Sequence, residues 1–165
     1  MNMGEMIKVG MADLKACKAP NALTTLGLGS CVGVCLFDPV TKVSGMAHVM
    51  LPDSKQMTRE KSNPMKFADT GIDMLIKQMI SLGAEKRRLK AKIAGGAQMF
   101  AFNGGSSSIG RVGDRNVEAV KAKLKELGIP ILAEDTGANY GRTIEFYSED
   151  ARLRIRAVGK PLKTI

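Results

Sequence analysis

Between Val32 and Leu51 the chain reads as two apolar strands folded about a turn, and this hairpin constrains the rest of the fold. Val32-Gly33-Val34-Cys35-Leu36-Phe37 is β-branched and apolar, with Val32, Val34 and Leu36 on one face. Asp38-Pro39-Val40-Thr41 follows, carrying Asp at the first and Pro at the second position of a type I turn. Lys42 to Leu51 is the return strand. A loop over 38–41 pairs Phe37 with Lys42, and the same register sets Cys31 directly opposite His48, the sole histidine. Directly opposed residues share a face, with Cβ atoms roughly 4.5–5.5 Å apart, close enough for a thiol–imidazole hydrogen bond. A slip of one residue would turn His48 to the other face.

The pair has a chemistry of its own. A free thiol titrates near pH ~8.5, and an adjacent imidazole is expected to lower that value by stabilising the thiolate. A thiolate beside a general base is the nucleophile of acyl-transfer enzymes. Gly27-Leu28-Gly29-Ser30 runs into Cys31, and glycines there allow a sharp bend and a close substrate approach. Backbone N–H groups around Gly29, Ser30 and Cys31 would then be placed for a developing oxyanion. The same residues have a purely structural reading. Free Cys is among the most buried residue types, and a lone His on a strand commonly serves as a hydrogen-bonded core residue. Spacing alone identifies no third, orienting residue.

The stretches TTLGLGSCVGVCLFDP and GMAHVMLPDS resemble the CheD family of chemoreceptor glutamine deamidases. The resemblance continues, in order, through AKIAGGAQMF, IGRVGDRNVEAV and TGANYGRTIEF, and so covers nearly the whole chain as one CheD-like domain over 1–165. Two positions depart from the family pattern: Ala94 stands where an aromatic is expected, and Ala138 where a second glycine is expected after Gly137. The resemblance implies that Cys31 is the nucleophile, His48 the general base and acid, and Thr25 the residue that orients His48. It implies hydrolysis of glutamine side chains on the cytoplasmic helices of chemotaxis receptors to glutamate, with release of ammonia and no cofactor or metal. It also implies binding to the phosphatase CheC. The rival reading is a non-catalytic binding module of the chemotaxis system. A third is a cysteine amidase acting on a small amide.

Composition narrows the remaining classes. At 165 residues one domain with a full core is expected. Aromatic content is 4%, so Met, Ile, Leu and Val must fill the interior. No membrane-length apolar run and no secretory signal is visible, and three Cys without paired spacing suit a reducing cytoplasm. Zinc is disfavoured because no Cys-x-x-Cys pair exists. The net charge of +9 invites a nucleic-acid reading, but the basic residues are dispersed and lack interleaved aromatics. The densest cluster, Lys86, Arg87, Arg88, Lys90 and Lys92, reads as a solvated face or as an electrostatic match to an acidic partner.

Elsewhere the chain predicts a first strand over Ile7 to Leu14 and a polar connection containing Cys17. A strand over Leu23 to Leu28 carries Thr25 alongside the hairpin. Pro52 to Asn63 reads as a loop walling the cleft. Asn63-Pro64 starts a helix to about Leu82, with Ala68, Ile72, Leu75, Ile76, Met79 and Leu82 on its apolar face. A strand covers Leu89 to Ala94. Asn103 to Gly113 is a glycine- and serine-rich loop without the ending of a phosphate-binding P-loop. Asp114 or Asn116 caps a second helix over Val117 to Leu127. A strand over Ile129 to Ala133, a hairpin over Arg142 to Val158 and a frayed tail from Gly159 to Ile165 complete the prediction. Two long helices and about eight strands with terminal hairpins give a mixed α/β layered sandwich, with mixed or antiparallel sheets and helices outside.

Overall fold

The computed structural model describes residues 4–52, 63–98 and 112–165. The strands are β1 (Met6–Lys8), β2 (Leu14–Lys18), β3 (Ala22–Leu28), β4 (Val32–Asp38) and β5 (Val43–Val49), followed by helix α1 (Ala68–Ser81). Then come β6 (Lys90–Gly95), helix α2 (Val112–Glu126), β7 (Ile131–Thr136), β8 (Arg142–Tyr147), β9 (Leu153–Arg156) and β10 (Lys163–Thr164). They form two five-stranded sheets, ordered β1-β3-β8-β9-β10 and β2-β5-β4-β6-β7. Each sheet has one parallel pairing, β1 with β3 and β6 with β7, and is otherwise antiparallel. The fold is therefore the expected mixed α/β sandwich.

The central hairpin is buried on both faces, and its alternation separates two cores. Val32, Val34 and Leu36 pack outward with Ile72, Leu75 and Met79 of α1 and with Val120 and Leu124 of α2. Cys31, Cys35, Phe37 and Met46 face the other way, against Leu23, Ile144, Phe146 and Leu153 of the first sheet. Both helices thus lie on one side of the second sheet, and the candidate cysteine and histidine lie between the sheets.

The hairpin register differs from the expectation by two residues. Asp38 continues β4 and pairs with Val43, so the loop is Pro39 to Lys42 and His48 stands opposite Gly33, not Cys31. The cause is the Asp38 side chain. It is held by a two-pronged Arg88 guanidinium at 2.9–3.1 Å and by the Glu85 N–H at 2.9 Å. Its Oδ1 accepts from Val40 N–H at 2.9 Å, and its carbonyl accepts from Lys42 N–H at 2.9 Å with Lys42 in the left-handed region at φ 57°. Because the shift is even, His48 stays on the face of Cys31.

Other boundaries moved for similar local reasons. The predicted first strand divides at Ala12 (φ 53°) into β1 and β2, which enter different sheets. Cys17 lies in β2, buried against Ser44 and Ser148 at 3.6 and 3.3 Å, and not in a polar connection. Asn63 does cap a turn at Pro64–Lys66, but buried Phe67 is extended and bridges Leu51 before α1 begins. The apolar face predicted for α1 is the buried one, except that Leu82 is the half-buried cap after the helix ends. Helix α2 starts at Val112, so neither Asp114 nor Asn116 is its cap. The C-terminal stretch is ordered, with β10 on β9 and Ile165 hydrogen-bonded in both directions to Leu153. Most of the loops predicted over 52–63 and 103–113 lies outside the described residues.

Candidate active site

Thr25 reaches the inter-sheet space because β3 alternates, with Leu23 and Thr25 inward and fully buried. Neighbouring Thr24 points away and donates instead to the Ile144 carbonyl at 2.8 Å. Opposite, on β5, His48 is also fully buried. Thr25 Oγ1 lies 2.7 Å from His48 Nδ1 and 2.7 Å from the Val9 carbonyl. A hydroxyl has one proton. A carbonyl can only accept, so that proton goes to Val9 and Oγ1 must accept from Nδ1–H. The imidazole is thereby fixed as the Nδ1–H tautomer, and Nε2 carries the free lone pair. Nε2 is buried and has no partner among the described residues.

Gly33 stands across the ladder from His48, where Ile144 and Leu28 leave no space for a side chain. A Cβ there would fall 2.5 Å from Ile144 Cδ1 and 3.2 Å from Leu28 Cδ1. Cys31 sits one diagonal step away on the same face, just before β4 begins. No hydrogen bond joins it to His48 in this resting arrangement. Diagonal neighbours lie about 7–8 Å apart at the backbone, within reach of long or planar side chains. Burial pushes the Cys31 thiol above its ordinary range and the His48 imidazole below its own. The expected lowering of the thiol is therefore not seen: the resting pair is neutral thiol and neutral imidazole, because desolvation disfavours both charges.

The three cysteines are not equivalent. Cys31 keeps 8% exposure, while Cys35 is fully buried and pushed far up by burial, with nearby Lys92 offsetting a part. Cys17 is engaged by two serines. Only Cys31 combines an approach from solvent with a base on its face.

The loop before Cys31 is lashed by its carbonyls. Gly29, Ser30 and Cys31 accept in turn from Ala97 N–H (2.8 Å), Asn116 Nδ2 (2.9 Å) and Gly96 N–H (2.8 Å). Asn116, buried in α2, also donates to Met50 O at 2.9 Å and so ties the Cys31 loop to the end of the His48 strand. Gly95 allows this closeness, since a Cβ there would lie 2.3 Å from Cys31 O. The Gly29 N–H is committed to Gly27 O at 3.0 Å, whereas Ser30 and Cys31 N–H have no backbone partner among the described residues. Asn116 and Gly33 had no functional reading in the sequence. The one trace of them is that each lies in a stretch carrying the family resemblance. The basic cluster is only partly a solvated face: Arg88 binds Asp38, and Lys92 donates to the carbonyls of Ala151 and Ile165.

A family model described as CheD chemotactic sensory transduction matches residues 50–157. The chain belongs to the CheD family. A protein of Lachnoclostridium phytofermentans named probable chemoreceptor glutamine deamidase CheD is 63% identical over 99% of this chain and 100% of the relative. A second so named, from Caldanaerobacter subterraneus, is 56% identical over 98% of both chains. The chemoreceptor glutamine deamidase CheD of Halalkalibacterium halodurans is 54% identical over 99% of this chain and 100% of its own. These three alignments extend over nearly all of this CheD-family chain, beyond the stretch matched by the family model. Among solved structures, Bacillus licheniformis hypothetical protein YfiH aligns with a TM-score of 0.44 and 16% identity over 77% of this chain and 51% of that one. No helix among the described residues is long and apolar enough to cross a membrane.

Proposed function

We propose that this chain is a chemoreceptor glutamine deamidase in which Cys31, His48 and Thr25 carry the reaction. The observation that supports it most is the pair of 2.7 Å contacts of Thr25 Oγ1, which leave His48 Nε2 as an unpartnered base on the face of Cys31. The names of the relatives supply the substrate class.

The steps follow from the neutral resting pair. As the Cys31 sulfur attacks the glutamine side-chain carbonyl carbon, its proton passes to His48 Nε2. The carbonyl oxygen takes up the negative charge, and the Ser30 and Cys31 N–H groups are the donors available to hold it. Thr25 keeps Nδ1–H oriented and stabilises the imidazolium. The imidazolium gives its proton to the departing nitrogen, the C–N bond breaks, and ammonia leaves a thioester. His48 then takes a proton from water as the hydroxide adds to the thioester carbonyl. Collapse expels the Cys31 sulfur, which recovers that proton, and the side chain departs as a carboxylic acid that ionises to glutamate, its proton taken up by the released ammonia. Each proton His48 accepts is returned, so one water is consumed per ammonia released.

The same proposal places the enzyme in the cytoplasm, with a CheC-like phosphatase as a further partner. The test is peptide mass spectrometry for Gln-to-Glu conversion in a chemoreceptor cytoplasmic fragment, with wild type, Cys31→Ala and His48→Ala in parallel. Conversion by wild type alone is expected. Equal conversion by all three would refute the mechanism. The Cys31→Ala variant should keep its binding to receptor and phosphatase.

A further inference from the structure

Asn116 lies near the start of α2 and is fully buried. Its Nδ2 donates to Ser30 O and to Met50 O, both at 2.9 Å. Both partners are carbonyls, which only accept, so the orientation of the amide is fixed. Its Oδ1 is buried with no partner among the described residues. The side chain therefore serves here as a donor, twice over.

The start of α2 is seated hard against the chain that follows β6. A Cβ on Gly113 would lie 2.3 Å from Ala97 O, and one on Gly96 would lie 2.2 Å from Val117 Cγ2. The same Gly96 and Ala97 donate their N–H groups to Cys31 O and Gly29 O at 2.8 Å. The start of α2 and the chain it rests on thus hold all three carbonyls of Gly29-Ser30-Cys31.

Held carbonyls decide where the neighbouring N–H groups point. A trans peptide is planar, with its C=O and N–H directed oppositely. The Ser30 carbonyl and the Cys31 N–H belong to one such unit, which is trans. Asn116 draws that carbonyl toward α2, which covers the outer face of the second sheet. The Cys31 N–H is thereby turned away from α2, toward the space between the sheets where the Cys31 side chain and His48 lie. The Gly29 carbonyl, held by Ala97, fixes the Ser30 N–H by the same rule.

We infer that Asn116 is a positioning residue for the oxyanion, which presets the Cys31 N–H by holding the Ser30 carbonyl. Its second bond, to Met50, keeps that peptide in register with the strand that carries His48. The inference rests on Cys31 acting as an acyl-transfer nucleophile, as in the deamidase reading, and adds the residue that aims its donor. Without Asn116 the Ser30–Cys31 peptide can turn, and a carbonyl instead of an N–H would face the developing charge.

Two small electrophiles test this without a receptor. p-Nitrophenyl acetate acetylates a thiol through a tetrahedral oxyanion: the S–C bond forms, p-nitrophenolate leaves, and His48 takes the thiol proton. Iodoacetamide alkylates the same sulfur by displacing iodide and makes no oxyanion. Both rates are measured at Cys31 by peptide mass spectrometry, for wild type, Asn116→Asp and Asn116→Ala. The first variant keeps the shape and the second adds no charge. In either folded variant the ratio of acetylation to alkylation should fall about 10- to 100-fold, since a donor turned away costs at most the 10²–10³ of one removed. Damage to Cys31 or His48 themselves would lower both rates together. An unchanged ratio would therefore overturn the inference, as would a wild type that is not acetylated at Cys31. Where neither variant folds, the infrared spectrum of acetylated wild type carries the test. Its acetyl carbonyl stretch should lie below that of the same thioester in the unfolded protein, and equal frequencies would overturn the inference. A ratio that responds to Asn116 in a protein that leaves receptor glutamines unchanged would refute the deamidase reading alone.

Discussion

Replacing Thr25 by Val removes one hydroxyl and almost no volume, and two buried groups lose their partner at once. The Val9 carbonyl loses its donor and His48 Nδ1–H loses its acceptor, both at 2.7 Å in the wild type. A buried polar group left unpaired costs about 1–3 kcal/mol, so Thr25→Val should destabilise the fold by roughly 2–4 kcal/mol. For a chain of this size that corresponds to a fall in Tm of about 5–15 °C. The effect on rate should be larger than stability explains. Without an acceptor at Nδ1 the tautomer with a free Nε2 is no longer enforced, and a loss on the order of 10²–10⁴ in kcat is expected for a misprepared general base. Thr25→Ser keeps the hydroxyl and should restore most of both. Thermal unfolding and ammonia release measure the two effects on the same samples. Nitrogen NMR reads the tautomer directly, because the chain has only one histidine. A folded Thr25→Val enzyme within a few-fold of wild-type kcat, or a wild-type ring protonated at Nε2, would refute the reasoning.

The pH dependence has a defined sign. In the proposed mechanism His48 must be neutral to accept the thiol proton, and burial lowers its pKa, so the neutral form persists to more acid pH than usual. The acid limb of kcat/KM should therefore fall below about 6.5, the ordinary imidazole value, and a limb above 7 would contradict a buried neutral base. Burial raises the Cys31 thiol, so iodoacetamide labelling of Cys31 should be slow at neutral pH and accelerate in alkali. A rate independent of pH down to 5 would instead indicate a preformed ion pair. Gly33→Ala forces a methyl to 2.5 Å from Ile144 Cδ1 beside His48. It should cost about 1–3 kcal/mol by overpacking, and adding Ile144→Val, which deletes the obstructing carbon, should recover part of the lost Tm. Asn116→Asp removes the donor shared by Ser30 and Met50. Two unpaired carbonyls make a loss of about 2–4 kcal/mol in stability, with a larger proportional fall in kcat than in KM, and unchanged kinetics would sink its positioning role.

Local rules account for what the sequence determined by itself. Period-two alternation placed Val32, Val34 and Leu36 in one core and Cys31 and Cys35 in the other. Helical spacing identified the buried face of α1, and Asp-Pro located the turn between β4 and β5. Cys31 and His48 share a face because strand parity survives an even shift of register. The resemblance carried by the Cys31 and His48 stretches then pointed to Thr25.

Tertiary structure decided the rest, since the partners come from distant chain segments. Asp38 extends β4 because Arg88 and Glu85, some fifty residues on, hold its carboxylate, and this sets Gly33 rather than Cys31 across from His48. The tautomer of His48 depends on Val9 and Thr25, which reach it only because the first sheet stacks on the second. Asn116 resembles a helix cap in sequence and becomes a clamp because α2 begins earlier and crosses the end of the hairpin. The neutral state of the thiol and imidazole is likewise a consequence of burial between the sheets, because desolvation penalises charge wherever the residues come from in the chain.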